Sequence, residues 1–410
     1  MSTKIRKEFQ SSFHIVQDAR SQIREMVRDQ MRDATFKFIH GLFSEEMNFL
    51  CGEPFKHKTA AQARRGGWDP GSVMLEGQRM AVKKPRARKN GEDIELQTYK
   101  SLQGFDMLQE NVLKHMMAGV STRNYDGLLD RVSGGLGLKK SSVSKAFMMG
   151  SKEAFDNLNS RDLSSYSWAA MMVDGIEFGG ALVIAVLGIT TEGKKLVLGL
   201  KRGATEDSEV CKDLFQDLLD RGLKKDEPFL FVLDGGKALK CAVRKVFGER
   251  FPIQRCVRHK ERNITSYLQK QHHKEFRRRW KTLHGITRFD EAKLEYERLL
   301  HWLKSKNQEA AASLEEAEME TLTVLQFKTG PALRKTLLST NPIESAFDKV
   351  RMKSARVKRW RTKNDQIERW SAAGLVEAEK GFRAIRGSKE IADFLLQVKT
   401  FSLPSQQEAA

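Results

Sequence analysis

The chain is poor in cysteine and proline. Its four cysteines, Cys51, Cys211, Cys241 and Cys256, are scattered, and no two stand as a CxxC pair. That fits a reducing compartment without a disulfide framework. Long hydrophobic runs are also missing. The longest, ALVIAVLGI at 181–189, is about half the ~20 residues that cross a bilayer as a helix. The first twenty residues, MSTKIRKEFQSSFHIVQDAR, hold basic residues but no apolar core of a signal peptide, and their acids argue against a transit peptide. A soluble, intracellular protein is expected. No GxxxxGK[ST] phosphate loop is present. GGLGLKKSS at 134–142 has the wrong spacing and follows helical sequence, and neither GxSxG nor HExxH occurs.

Positive charge is abundant. Lys and Arg number 72 against 53 Asp and Glu, for a net charge of +19 over 410 residues. A balance this basic points to a polyanionic partner, nucleic acid first, with a merely basic surface as the alternative. Residues 1–50 read as helical, with apolar positions at Phe13, Ile15, Val16, Ile23, Met26 and Val27. From 64 to 96 the texture turns to Gly/Pro punctuation and short alternating segments. A hairpin is predicted there, carrying Arg64, Arg65, Lys83, Lys84, Arg86, Arg88 and Lys89, unless the stretch is a solvated loop. Residues 104–157 return to helix, broken at Gly119 and at 134–137. Ser141 or Ser142 is placed to cap a short helix bearing Lys139, Lys140, Ser144 and Lys145, as a helix-turn-helix would present to a DNA groove.

Residues 169–258 give the clearest pattern. AAMMVDGIEF, GGALVIAVLGIT and KKLVLGLKRG are three consecutive strands. TEDSEVCKDLFQDLLDRG follows as an amphipathic helix, with Thr205 as its cap and Glu206 and Asp207 in its first turn; next come the strand PFLFVLD, the helix KALKCAVRKVFGER and the strand FPIQRCV. The order β-β-β-α-β-α-β predicts a mixed α/β sheet rather than a doubly wound parallel one. Asp174 interrupts the first strand and Asp234 ends the fourth. A charge in a strand core is costly unless paired or metal-bound, although Asp234-Gly is also a turn pair and Asp174 alone fits a salt bridge. Glu344 is the third candidate, in the first turn of a helix that Asn341 would cap with Pro342 following, an arrangement that also reads as a capping box; Asp348 is the fallback. Three carboxylates suit two Mg²⁺ ions, or Mn²⁺ in their place, acting on a phosphodiester. Cys256 and His259 form a lone CxxH that lacks two further zinc ligands, so a role supporting the acidic site or the nearby DNA strand is expected of them. From Lys349 to Lys363 a helix with eight basic residues and no acid is predicted. It includes Arg351, Lys353, Arg356, Lys358, Arg359 and Arg361, and would track a DNA backbone. Trp280, Trp302, Trp360 and Trp370 are read as core residues before base-stacking ones.

Taken in order, MVDGIEFGGALVIAVLGITTEGKKLVLGLKRGATEDSEVCKDLFQDLLDRGL, LDGGKAL, QRCVRHKERN, STNPIES and VKRWR…ERWSAAGLVEAEKGFRAI resemble the Mutator-like bacterial insertion-sequence transposases, over about 165–390. The resemblance implies an RNase H-like core with Asp174, Asp234 and Glu344 as a DDE triad, and Cys256 and His259 as the family's CxxH. Regions are expected at 1–100 (helix and basic hairpin), 101–164 (helix-turn-helix-like), 165–260 and 339–400 (the core), 261–338 (an all-α insertion) and 401–410 (a tail). The implied activity is recognition of terminal inverted repeats, metal-dependent strand cleavage and 3′-OH strand transfer. It would act on double-stranded DNA as a homodimer or higher assembly, in a bacterial cytoplasm at the nucleoid. A domesticated, non-catalytic DNA-binding protein and a structure-specific nuclease on the same fold are the alternatives.

Overall fold

The computed structural model describes residues 3–56, 63–75, 78–103, 106–119, 135–136, 140–203, 207–355, 357–361 and 365–402. The chain divides into two compact units, Met1–Gly150 and Ser151–Ala410.

In the first unit a helix, Thr3–Cys51, lies on a small antiparallel sheet of β1 (Arg64–Leu75), β2 (Gln78–Lys89), β3 (Glu92–Ile94) and β4 (Gly135–Leu136). The predicted hairpin is β1–β2. The helix packs through Ile39, Phe43 and Met47, spaced by four so that they share one face. They meet Val73, Met80 and Val82 on one side and Ala87 and Leu96 on the other. The helix expected over residues 1–50 is present, and three of its apolar positions, Ile23, Met26 and Val27, are exposed. The side chains of Phe13, Ile15 and Val16 lie outside the described ones. Of the helix-turn-helix reading, the helix Asp106–Met117 is present, and β4 pairs with β2. The last helix is not short and is not capped by Ser141 or Ser142. It starts at Lys140 and runs 20 residues to Asn159, because its apolar positions Val143, Ala146 and Phe147 continue a buried face.

The second unit is built on a five-stranded sheet of β5 (Trp168–Phe178), β6 (Ala181–Thr190), β7 (Lys195–Arg202), β8 (Leu230–Leu233) and β9 (Ile253–Arg255), in the order β7-β6-β5-β8-β9. The first three are antiparallel; β8 and β9 add in parallel on the other edge of β5. This is the mixed α/β sheet that the sequence predicts and the strand arrangement of an RNase H-like core. The β5–β6 turn is Gly179-Gly180, both with positive φ (62° and 77°), as a two-residue hairpin loop requires. The parallel strands need crossovers, which the helices Ser208–Asp220 and Lys237–Phe247 supply. Asp207 caps the first, accepting from the Glu209 and Val210 amides. The expected cap Thr205, with Glu206, lies outside the described residues, and Asp207 stands before the helix rather than in its first turn. Between sheet and helices, Phe215, Phe229, Phe231, Phe247 and Phe251 interlock with ring centroids 4.9–6.2 Å apart.

After β9 come Val257–Tyr267, Lys270–Gly285, Phe289–Lys304, Gln308–Glu316 and Pro331–Leu337, all helices, and then the helix Asn341–Ser354. That last helix stops short of the predicted basic helix. Lys358, Arg359 and Arg361 follow it in non-helical chain, and Arg356, Lys363 and two neighbours lie outside the described residues. Trp360 accounts for the break: its ring packs on Phe178 at 4.8 Å and Trp370 at 5.9 Å, which draws the chain back to the core. Trp280 and Trp370 are buried, while Trp302 is half-buried under the Arg279 guanidinium. No described helix is long and apolar enough to cross a membrane.

Phe231→Ala empties the centre of the aromatic cluster. A loss of about 3–5 kcal/mol from the second unit is expected, read as a lowered urea midpoint with an unchanged slope. A loss below about 1 kcal/mol would show that the cluster is not a tightly packed core.

Candidate metal centre

Pairing of Val173 with Leu233 sets the next residue of each parallel strand, Asp174 and Asp234, side by side at one place on the sheet. Asp174 is still within β5 and fully buried; neither carboxylate oxygen has a hydrogen-bond partner among the described residues. Asp234 lies just beyond β8, half-buried. Its Oδ1 accepts from the Gly236 amide at 3.0 Å, the turn that lets the chain enter the helix Lys237–Phe247.

A third element brings His259, in the first turn of Val257–Tyr267. Its Nε2 lies 3.9 Å from Asp174 Oδ1 and 3.4 Å from Glu344 Oε1. Asp174, His259 and Glu344 each present a ligand atom, all within 4.8 Å of one another. Asp234 stands outside this trio but close enough for its charge to raise the Asp174 carboxyl. Two of the expected three carboxylates are thus gathered with the histidine, and the third sits at the neighbouring strand end. Cys256 is buried behind them. Its sulfur accepts from the Thr340 amide and hydroxyl at 3.4 and 3.3 Å, and the same hydroxyl meets His259 Nδ1 at 3.4 Å. Thr340, not Asn341, precedes the Glu344 helix, and its side chain makes no cap because Cys256 and His259 engage it. Glu344 is in the first turn as expected, but it serves no capping box: Arg262 holds both its oxygens, at 2.8 and 3.2 Å. The fallback acid Asp348 pairs with Arg351, one turn on.

Burial pushes Asp174 up from 3.8 to about 7, opposed chiefly by the His259 charge. For His259, burial favours the neutral ring, but the Cys256 sulfur and the charges of Asp174 and Glu344 outweigh it and lift the imidazole from 6.5 to about 9. Burial likewise pushes the Cys256 thiol up, yet His259 and Thr340 together bring it below its usual value. A buried carboxylate with two unsatisfied oxygens, next to a second carboxylate, is the hard-oxygen donor set that Mg²⁺ or Mn²⁺ takes. Imidazole adds a donor suited to softer ions. The residues fit a divalent cation.

A second set of contacts holds this site from behind. Arg255, 5 % exposed at the end of β9, donates to the Gly235 carbonyl at 2.6 Å and pairs with Glu316 and Glu320. Lys260 joins Glu316 at 2.7 Å, and Lys240 pairs with Glu320. Gln254, fully buried, donates to the Thr321 carbonyl and accepts from the Val324 amide. The helical segment after His259 is therefore tied to the loop that carries Asp234. Sequence reading missed Arg255, Arg262, Thr340 and Glu316. Two signals were available: Arg262 follows His259 by three residues on one helix, hence on one face, and the polar pair Gln254-Arg255 interrupts an apolar strand.

The basic residues proposed to meet DNA divide by environment. Arg64, Lys83 and Lys140 are exposed, and Lys84 stands over the Tyr99 ring at 4.8 Å. Arg86 is occupied by Asp69 and Asp93, and Arg65 by Asn48 and the Gly52 carbonyl. Ser144 and Lys145 are on the helix from Lys140, and Lys139 is outside the described residues. Arg351 donates to the Glu177 carbonyl as well as to Asp348, and Lys353 is in the last turn of the same helix.

Residues 6–383 match the family model described as "Transposase, Mutator family". The chain is similar to the transposase for insertion sequence element IS6120 of Mycolicibacterium smegmatis, 29 % identical over 64 % of this chain and 79 % of that protein. It is also similar to the transposase for IS256 in transposon Tn4001 of Staphylococcus aureus, 25 % identical over 75 % of this chain and 79 % of the relative. With the transposase for IS1201 of Lactobacillus helveticus it shares 26 % identity over 80 % and 89 %.

The raised Asp174 carboxyl makes a prediction about stability. A folded-state acid that holds its proton more tightly than the unfolded chain stabilises the fold at low pH. That contribution is lost as pH climbs from about 4 to about 7, at most about 4 kcal/mol for this shift. His259, raised as well, keeps its contribution below about 6.5 and loses it through about 9, so the fall in stability continues to higher pH. In metal-free buffer Asp174→Asn should therefore gain stability over wild type near pH 8 by more than it does near pH 5, measured by urea denaturation. An equal difference at both pH values would mean that the carboxyl is not desolvated.

Proposed function

Because the chain belongs to the Mutator family of transposases, we propose that it cuts DNA at the ends of an insertion sequence and joins the freed 3′-OH to a target strand, with Asp174, Asp234 and Glu344 as its carboxylates. The observation that carries this reading is the fully buried Asp174 carboxylate, without a hydrogen-bond partner among the described residues and facing Glu344 across His259. A buried acid without hydrogen bonds is retained against a stability cost where it does chemistry.

Asp174 and Glu344 would hold the ion nearest His259, and Asp234, at the neighbouring strand end, would serve a second. Divalent ions bound there would supply Lewis acidity at the scissile phosphate and lower the pKa of bound water. The chain's own groups do the rest. In the first step water attacks phosphorus, a P–O bond forms, and the bond to the 3′ oxygen breaks, leaving 3′-OH and 5′-phosphate ends. In the second, that 3′-OH attacks a target phosphodiester. A new P–O3′ bond forms, the target's own 3′ oxygen leaves, and the attacking proton passes to solvent. Energy is conserved from bond to bond, so no covalent protein–DNA intermediate is required. His259 turns Nε2 toward the two carboxylates because Thr340 and Cys256 hold its other nitrogen. Arg262 sets the Glu344 carboxylate in place.

Terminal inverted repeats would be read by the N-terminal region, through the exposed cations of the β1–β2 hairpin and of the helix from Lys140. A homodimer or larger assembly on double-stranded DNA would bring two ends together.

Strand transfer with labelled terminal DNA and Mg²⁺ or Mn²⁺ tests the proposal. Asp174→Ala, Asp234→Ala and Glu344→Ala should each lower joining by about 10³-fold or more, since each removes several kcal/mol of charge stabilisation. Mn²⁺ should raise the melting temperature of wild type and not of Asp174→Ala. Joining that survives in all three variants would overturn the assignment. End binding without nicking would mark a non-catalytic regulator, and cutting without joining a nuclease.

A further inference from the structure

The helix Asn341–Ser354 that presents Glu344 toward the acidic cluster carries a second row of residues. Asn341, Ser345 and Lys349, spaced by four, line a cavity of about 650 Å³. Lys195 enters it from the start of β7, Lys335 from the helix Pro331–Leu337, and Arg383 and Arg386 from the segment 381–386. Five cations from four stretches of chain thus face one space, and among the described residues no Asp or Glu lines it. None of the five has a carboxylate partner among the described residues; Lys195 finds only the Phe382 ring, at 5.3 Å. Nearby cations behave otherwise: Arg351 pairs with Asp348, Lys380 with Glu377 and Lys201 with Asp213. Burial, and then the charge of Lys349, hold the Lys195 ammonium below its usual value, as expected where like charges are kept together. Such a grouping costs folding free energy and is relieved by an anion.

The geometry points to a binding site for the phosphodiester backbone of double-stranded DNA, seated in this cavity and running along the Glu344 helix on the face next to the acidic cluster. The inference rests on the transposase reading and adds a DNA contact made by the catalytic unit itself. Lys195, Lys335, Arg383 and Arg386 lie outside the basic stretches that the sequence singles out. The row from Asn341 to Lys349 covers about 12 Å of helix, several times the ~1.7 Å of duplex axis per phosphate charge. An extended polyanion therefore fits it better than a single phosphate. Lysine-rich, spread contacts without a glycine loop also favour backbone tracking over a shaped anion pocket.

The test uses the full chain in EDTA, so that binding is separated from cleavage, with duplex DNA followed by fluorescence anisotropy over a salt series. Lys335→Ala, Lys349→Ala and Arg383→Ala are combined in one variant. Lys225→Ala, Lys281→Ala and Lys293→Ala, exposed positions outside the cavity, form a charge-matched control. Removing three phosphate contacts should flatten the slope of log K against log salt by about two to three units and weaken binding at least tenfold, whereas the control should change the slope by less than about one unit. Without DNA, the cavity variant should melt no lower than wild type, because it relieves repulsion; this separates the binding loss from misfolding. A slope equal to that of wild type or of the control overturns the inference. So does a cavity that only inorganic phosphate fills, seen as a phosphate-dependent rise in wild-type melting with no change in the DNA slope. Failure here with strand transfer intact leaves the proposed function standing. A flattened slope in a protein that never joins DNA would retain the site and remove the activity.

Discussion

A carboxylate buried in a strand without a hydrogen-bond partner is the constraint around which the second unit is arranged. Asp174 occupies a position where its neighbours Met172, Val173 and Ile176 are all core, and the sheet gives it no donor. The surroundings compensate indirectly. His259 brings a positive charge to 3.9 Å, Thr340 and Cys256 fix the far side of that ring, and Arg262 draws in Glu344.

The helical segment between β9 and Glu344 serves the same site. It supplies Glu316 and Glu320, which accept Arg255, and Arg255 in turn clamps the Gly235 carbonyl beside Asp234. Gly235, at φ 118°, is where this clamp closes: a Cβ there would meet the Arg255 guanidinium at 2.4 Å. Glycine in LDGGK thus reflects the close approach of an arginine. The acidic stretch SLEEAEME gains a structural reason as well, since part of it neutralises two nearly buried cations, Arg255 and Lys260.

The strands and their order were legible because apolar runs of five to ten residues punctuated by glycine and charge have few other solutions. Asp174 was legible for a related reason: an acid inside MMVDGI stands out against its surroundings. What could not be read were contacts between distant segments. Nothing in QRCVRHKERN says that Arg262 reaches Glu344, or that Arg255 meets the acids near 316–320. The basic run after Lys349 misled by periodicity. Its charges fit a helix, but the Trp360 ring has a place against Phe178 and Gly179, and tertiary packing overrides local propensity. In the long N-terminal helix Ile23 and Met26 keep helical spacing and are exposed, while Ile39, Phe43 and Met47 do the packing.

The parts of the acidic cluster come from positions 174, 259 and 344, and the segment between the last two must fold before they meet. Contacts this remote in sequence form late, after the loop-closure entropy has been met. On the ribosome the chain emerges N-terminus first. The basic hairpin near residues 64–89 is therefore made long before Glu344 leaves the tunnel. A nascent or prematurely ended chain has cationic surface but no complete cluster. The order of residues along the polypeptide thus acts as a timer, withholding the assembled carboxylates until the segment that carries Glu344 has been made.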